Sequence, residues 1–248
     1  MARAAQRGGV LLRLLRLAAL LLLGWVLLTA MPVLLLRWLH PLTSAFMLEA
    51  SIGAWRSGER NYRTDFEWVS LEQISPHAAI AVIASEDQQF PFHTGFDLDS
   101  IRQAVRDSER GKRLRGASTI SQQVAKNLFL WNGFSFVRKG LEAYFTVLIE
   151  TLWPKERILE MYLNVAQFGD GIYGVQAAAR SFWHKPALRL SSADAALLAA
   201  VLPSPLRLHA ERPSRYVLQR RDWILGQMRD LGGAAYLRAL ESERRTPR

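Results

Sequence analysis

Glu86 and Asp87 form an acidic pair that could supply the base of an acid–base reaction. Ser75 and Pro76 have the pattern of a helix N-cap followed by proline at the first helical position, and apolar residues recur at helical spacing after them. The pair is therefore predicted in the last turn of a short helix. The alternative is an ordinary acidic helix end, with a buried His93 that serves packing.

The surroundings of Glu86 predict a carboxylate that holds its proton more tightly than a solvated one. Phe90 and Phe92 follow it closely, and the negative end of the helix dipole lies beside it. Both effects disfavour the charged form, so the pKa of Glu86 is expected to be raised, as suits a general base. Asp87 and His93 have a simpler explanation, which is that they brace the loop carrying Glu86.

The stretch STISQQVAKNLFLW predicts a helix with one buried and one polar face. Thr119 and Gln122 have the spacing of a capping box at its start, and Ile120 and Val124 begin the buried face. Gln122 and Lys126 are predicted to point the opposite way, toward a cleft or water.

A longer helix is predicted from Ser135 to Trp153, because apolar residues repeat from Val137 at intervals of three to four. Arg138 and Glu142 stand four residues apart on its other face. They could serve a site that binds negative charge. They could equally form a surface ion pair that contributes a few tenths of a kcal/mol, about 0.3–0.5.

The composition limits the classes of function. The chain has 248 residues, half of them hydrophobic, which is enough for one substantial core with an appendage. It has no cysteine, so disulfides, thiolate catalysis and cysteine metal sites are excluded. Its net charge of +10 predicts an anionic partner, which could be a membrane surface, a phosphorylated substrate or nucleic acid.

An uncharged apolar run at residues 17–36 is long enough to cross a bilayer as a helix. A cleaved signal peptide is the alternative, but its apolar region would be shorter. Four arginines precede the run and only Arg37 follows it closely, which predicts a cytoplasmic N-terminus and places everything from about His40 outside the inner membrane. The predicted divisions are a basic N-terminus at 1–16, the span at 17–36, a juxtamembrane connection with a short helix at 37–72, the main domain at 73–231 and a basic tail at 232–248.

The remaining pattern predicts an all-α fold, since no stretch alternates as a strand. Asp97 is predicted to cap a helix that precedes a mobile basic segment containing Lys112, Arg113 and Arg115. Further helices are predicted at Lys155–Phe168, Val175–Trp183, from Ser191 to Pro203, and at Arg215–Leu231, with a glycine turn before the second of these.

Four segments in order, SEDQQFPFHTGFD, GASTISQQVAKNLFLW, RKGLE and KERILEMYLNVAQFGDGIYG, closely resemble the peptidoglycan glycosyltransferase family, specifically its monofunctional, membrane-anchored members. The resemblance covers roughly residues 73–205. It implies a lysozyme-like, mostly helical domain behind one N-terminal transmembrane helix in the bacterial inner membrane. It also implies that this periplasmic domain polymerises lipid II into glycan strands and releases the undecaprenyl pyrophosphate carrier.

The resemblance implies a role for each matching residue. Glu86 matches the catalytic base, and Glu142 matches a second glutamate on the donor phosphate side. The residues matching the substrate-binding set are Asp87, Ser118, Thr119, Gln122, Gln123, Lys126, Arg138, Lys139 and Asn164. No cofactor is implied, and a divalent cation at the pyrophosphate is neither required nor excluded. The expected partners are lipid II, the growing strand, the membrane and other cell-wall synthesis proteins, without nucleic acid.

Phe134 is a departure from the family, because many relatives carry an arginine in the corresponding segment. Either Arg138 and Lys139 suffice to bind the phosphate, or the cleft binds its donor more weakly. Two other functions also fit parts of the sequence. A lysozyme or lytic transglycosylase would place a glutamate at a helix end but needs no phosphate-binding cations. A membrane-anchored scaffold for wall assembly would explain the anchor and the charge only.

Overall fold

The computed structural model describes residues 2–109, 118–238 and 240. Within them the chain is mostly helical, as predicted, and divides into two compact units, one ending at His40 and the other beginning at Pro41. The helices are α1 (Ala2–Leu35), α2 (Ala45–Ser57), α3 (Pro76–Glu86), α4 (Leu98–Glu109), α5 (Ile120–Phe129), α6 (Phe136–Leu152), α7 (Lys155–Val165), α8 (Val175–Trp183), α9 (Ser192–Val201) and α10 (Arg215–Asp230). The strands are β1 (Asp65–Phe66), β2 (Gln167–Gly169) and β3 (Ile172–Tyr173).

The first unit consists mainly of α1. Residues 12–35 of this helix are long and apolar enough to cross a membrane, and Pro32 lies inside the helix. The helix begins well before residue 17, where the apolar run was predicted to start. The predicted anchor is therefore present as a continuous helix of sufficient length.

The centre of the second unit is built from α3 and α9, which pack against each other and against α10. Seven consecutive residues of α3, from Ala78 to Ala84, are buried, and α9 is rich in alanine, which lets helices approach closely. Both N-termini match the prediction. The Ser75 hydroxyl accepts a hydrogen bond from the backbone N–H of His77, and Ser191 begins α9 with a capping box.

The helix α5 packs against α6 and α7. Its capping box and buried face are as predicted, but Gln122 does not point to a cleft or water. Gln122 is buried because its side-chain oxygen accepts the backbone N–H of Thr119 at 3.0 Å. The capping function therefore fixes the side chain against its own helix end.

The buried face of α6 differs from the prediction. Arg138 and Glu142 lie on the buried side together with Phe145 and Ile149, whereas Val137 is exposed. An apolar repeat marks the buried face only where the neighbouring elements are also apolar. Here α6 buries an ion pair instead, so the interpretation of Arg138 and Glu142 as a surface pair is wrong.

Three short strands form a small sheet in the order β1-β3-β2, with β1 parallel and β2 antiparallel to β3. Because β2 begins at Gln167, α7 ends at Val165 and not at Phe168 as predicted. Strands of two or three residues are too short to show alternation, so no pattern of residues indicated them. Gly171 is required at the turn, because its φ is +68° and a Cβ would lie 2.5 Å from the carbonyl oxygen of Arg63.

Other predicted features have mixed outcomes. The short juxtamembrane helix corresponds to α2, which Ser44 caps and Gly58 ends. Asp97 caps α4 by accepting the backbone N–H of Ser100 at 2.9 Å. The basic run of Lys112, Arg113 and Arg115 lies outside the described residues, as does the tail from residue 241.

Candidate active site

Glu86 is the last residue of α3, and its side chain retains 15% exposure. Its two carboxylate oxygens have different surroundings. Oε2 accepts a hydrogen bond from Nε2 of Gln123 on α5 at 3.0 Å. Oε1 lies 3.8 Å from a terminal nitrogen of Arg220 on α10, too far for a hydrogen bond. Three helices thus meet at this carboxylate, and one of its oxygens is left able to accept a proton.

Gln123 is oriented by a second hydrogen bond. The hydroxyl of Tyr162 on α7 donates to Oε1 of Gln123 at 3.1 Å, which leaves Nε2 to face Glu86. Tyr162 is buried, and its pKa lies well above the ordinary tyrosine value because of burial and the nearby charges of Glu86 and Asp87. The phenol therefore stays protonated and acts as a donor.

The pKa of Glu86 is raised, chiefly because burial disfavours the charged carboxylate. The hydrogen bond from Gln123 and the charges of Arg220 and Lys126 oppose the shift, while Asp87 adds to it. The predicted direction is confirmed. The predicted aromatic wall is only partly present, because Phe90 is fully buried while Phe92 is 65% exposed.

Asp87 braces the loop that follows Glu86. Its Oδ1 lies 2.9 Å from Nε2 of His93, and its Oδ2 accepts the backbone N–H of Ile120, the first residue of α5, at 3.0 Å. Nδ1 of His93 accepts the backbone N–H of Gly95 at 3.1 Å, so Nε2 carries the hydrogen that faces Asp87. Asp87 is buried, and these bonds fix the loop to α5 instead of presenting the carboxylate to a substrate.

A cluster of fixed charges lies at the start of α6. Glu142 is almost fully buried, and its Oε2 accepts a hydrogen bond from Arg138 at 2.8 Å while its Oε1 accepts one from Lys139. Nε of Arg138 is buried without a hydrogen-bond partner among the described residues. With both oxygens bonded, Glu142 holds two cations in place.

Lys126 joins this cluster from α5. Its ammonium group lies 5.4 Å from the centre of the Phe46 ring, and it forms no ion pair within the described part of the chain. Burial lowers the pKa of Lys126; Arg138 and Lys139 act in the same direction, whereas Glu142 and Glu86 raise it. Gln123 and Lys126 are three residues apart on α5, so this helix connects the base to the cations.

The other predicted site residues are placed differently. Asn164 is fully buried and bonds the backbone N–H and carbonyl of Val69, so its side chain is not available to a substrate. Thr119 is buried, and its hydroxyl donates to the carbonyl oxygen of Gly95 at 2.7 Å. Ser118 is half-buried just before α5. The structure therefore brings together Glu86, Gln123, Lys126, Arg138, Lys139 and Glu142, and uses Asp87, Thr119, Gln122 and Asn164 in bracing.

Sequence reasoning missed two residues of the site, Tyr162 and Arg220. Tyr162 resembled an ordinary apolar-face residue of α7. Arg220 stands three residues after Val217 and four before Ile224, and both of these are fully buried. A charged residue at the edge of an apolar helical face was a usable signal, because such a position needs a partner.

A helical unit that holds a mostly buried carboxylate and a cluster of fixed cations has the two kinds of group that group transfer with an anionic leaving group needs. Residues 54–229 match the family model described as transglycosylase, and the chain belongs to this family. It is similar to the biosynthetic peptidoglycan transglycosylase of Pectobacterium carotovorum subsp. carotovorum strain PC1, with 56% identity over 84% of this chain and 85% of the relative. The proteins of the same name from Salmonella schwarzengrund and Cronobacter sakazakii are 59% identical over 78% of this chain and 81% of the relative, and 52% identical over 93% and 96%.

Proposed function

We propose that the protein is a peptidoglycan glycosyltransferase that polymerises lipid II into glycan strands at the membrane. The observation that carries the proposal is the Glu86 carboxylate, whose Oε1 has no hydrogen bond from a described residue and whose partner Gln123 stands three residues before Lys126 on α5. A base and a phosphate-binding cluster are the two groups that the reaction requires. The family membership and the names of the relatives support the same activity.

In the proposed reaction, Oε1 of Glu86 takes the proton from the 4-hydroxyl of the acceptor sugar. The resulting oxygen attacks the anomeric carbon of the lipid-linked donor strand and forms the new glycosidic bond. The bond between that carbon and the pyrophosphate oxygen breaks, and the electron pair leaves with undecaprenyl pyrophosphate. Lys126, Arg138 and Lys139 stabilise the negative charge on the leaving group.

The cation cluster favours synthesis over the lytic alternative. A lysozyme-like enzyme needs a protonated carboxyl to assist the departure of an uncharged sugar oxygen, and it has no use for three cations. Among the described residues, the buried Glu142 carboxylate has two cations as its bonded partners, an arrangement that is costly unless a charge is to be held there. The scaffold alternative does not account for the free oxygen on Glu86.

Association with the membrane is supported by an exposed apolar surface on the second unit. Leu48, Ile52 and Trp55 project from one face of α2, since they are spaced at four and three residues and all are exposed. A second exposed set comprises Trp131 and Phe134, from the connection between α5 and α6, and Phe136 and Val137, from the first turn of α6. The backbone N–H of Asn132 donates to Glu49 at 2.7 Å and joins the two sets. Exposed aromatic residues of this kind suit the lipid interface.

We further propose that the N-terminus is cytoplasmic and the catalytic unit periplasmic, supported by the arginines before the span. A protease added to spheroplasts should then digest the catalytic unit, and a reporter fused after Arg248 should be active only outside the cytoplasm. Protection of the whole chain would contradict this orientation. Binding of other cell-wall synthesis proteins to the basic surface belongs to the same proposal.

The activity is tested with purified full-length protein and labelled lipid II in detergent or liposomes, followed by separation of polymer from precursor. Polymer should appear with the unmodified chain and be absent with Glu86→Gln. The Asp99→Asn variant, at an exposed position on α4, is the control for activity that is lost during preparation of a variant protein. Release of labelled fragments from finished peptidoglycan, without polymer from lipid II, would instead support the lytic alternative.

A further inference from the structure

Arg220 lies on α10, beyond the segments that carry the family resemblance. Its side chain is 24% exposed and stands at the edge of the buried face of this helix. One terminal nitrogen is 3.8 Å from Oε1 of Glu86, and Nε is buried with no hydrogen-bond partner in the described part of the chain. The packing of α10 against α3 places this guanidinium beside the proposed base.

The geometry differs from that of the other buried carboxylate in the site. Both oxygens of Glu142 accept hydrogen bonds from cations, so this carboxylate is held within an ion cluster. Within the residues that the structure describes, one oxygen of Glu86 is bonded, to Gln123, and the guanidinium of Arg220 approaches the other without bonding to it. A charge at this distance still attracts the carboxylate but leaves its lone pairs accessible.

We propose that Arg220 is a positioning residue that holds the Glu86 carboxylate through Oε1 and selects this oxygen as the proton-accepting atom. The proposal rests on the proposed function and deepens it. Gln123 fixes Oε2 from one side, and Arg220 restrains Oε1 from the other by charge. The acceptor hydroxyl gives its proton to Oε1 as its oxygen bonds to the anomeric carbon, and the pyrophosphate leaves with the electron pair of the broken bond.

The charged and titratable groups that face Glu86 in the described residues allow a clear test. Asp87 next to it raises the pKa of Glu86, whereas Arg220 from α10 and Lys126 from α5 lower it. Tyr162 from α7 stays neutral. Removing the charge of Arg220 therefore raises the pKa of Glu86 further, and the base is protonated at a higher pH.

The experiment compares Arg220→Gln and Arg220→Lys with Arg221→Gln. Arg221 is the neighbour on the same helix but bonds to Asp222, so it serves as the matched control. For Arg220→Gln we expect the acidic limb of the kcat/KM profile to move up by about one pH unit, with about tenfold lower activity below the midpoint and recovery at high pH. In Arg220→Lys the acidic limb should return most of the way to its pH position in the unmodified chain. The profile of Arg221→Gln should match that of the unmodified chain.

A second readout does not depend on turnover. In protein labelled with ¹³C at the glutamate side-chain carboxyl, the Glu86 signal is assigned by its loss in Glu86→Gln, and its titration midpoint should rise in Arg220→Gln. An active Arg220→Gln enzyme with an unshifted limb and an unshifted NMR midpoint would overturn the inference. If the unmodified chain makes no polymer, the proposed function is rejected. A higher Glu86 titration midpoint in Arg220→Gln than in the unmodified chain would still support the coupling of Arg220 to Glu86.

Discussion

Arg138 donates a hydrogen bond to Glu142 at 2.8 Å, and both side chains are more than nine-tenths buried. Removing one member of such a pair leaves an uncompensated charge in a site of low dielectric. We therefore expect Glu142→Gln to lower the free energy of unfolding by about 3–5 kcal/mol, as measured by urea denaturation, and to abolish polymerisation.

The matched control for this prediction is Asp99→Asn, which breaks the exposed pair between Arg102 and Asp99. That variant should change the free energy of unfolding by less than about 1 kcal/mol, because solvent screens an exposed pair. A Glu142→Gln variant as stable as Asp99→Asn would show that the buried pair contributes little.

Glu86→Gln should abolish turnover without weakening the fold at neutral pH. The pKa of Glu86 is raised in the folded protein, so the folded state binds the proton more tightly than the unfolded chain does. Its ionisation therefore removes stability as the pH rises from the ordinary glutamate value, about 4.3, through the raised folded value. Across this window Glu86→Gln should become increasingly stable relative to the unmodified chain, as followed by denaturation at several pH values.

Gln123→Leu tests the hydrogen-bonded chain behind the base. It removes the bond that favours the ionised form of Glu86, so the acidic limb of the activity profile should move to higher pH. It also leaves the buried Tyr162 hydroxyl without an acceptor, which should cost about 1–3 kcal/mol of stability. Adding Tyr162→Phe should restore stability but not the original limb; a double variant that regains both would show that Gln123 acts only through packing.

Phe134→Arg tests the exposed aromatic surface. Phe134 is 78% exposed and meets Phe136 edge to face, so it has little to stabilise within the protein. If its ring enters lipid, the arginine should weaken liposome binding by about tenfold and lower activity on embedded lipid II, while activity on a short-chain soluble analogue stays nearly unchanged. The control is Leu188→Arg, at an exposed apolar residue outside this surface.

The opposite outcome for Phe134→Arg is equally informative. If the arginine supplies a phosphate cation that relatives carry, donor binding should tighten by about 1 kcal/mol on both substrates, and the gain should shrink with added salt. A variant unchanged in every condition would mean that Phe134 has neither role.

The features predicted from the sequence are those fixed by short-range patterns. Ser75 before Pro76, and Thr119 three residues before Gln122, determine helix starts through bonds within one turn, and the structure has both. The face of α6 could not be predicted, because an ion pair such as Arg138 and Glu142 resembles a solvated pair until its neighbours are known. Arg220 was missed, and the bracing role of Asn164 was not predicted, for the same reason. Asn164 bonds Val69 and Arg220 lies beside Glu86, and each partner is more than ninety residues away in the chain.

The bond from Asp87 to the first backbone N–H of α5 has a consequence for how the chain can be cut. Glu86 and Gln123 are bonded directly to each other, so two noncovalent links join the end of α3 to α5. A protease nick or an inserted tag between residues 109 and 118 should therefore leave the two side chains in register. Doubling the length of such a connection costs only about 0.6 kcal/mol of closure entropy. An enzyme assembled from two fragments divided there should still hold the Glu86 carboxylate beside Gln123.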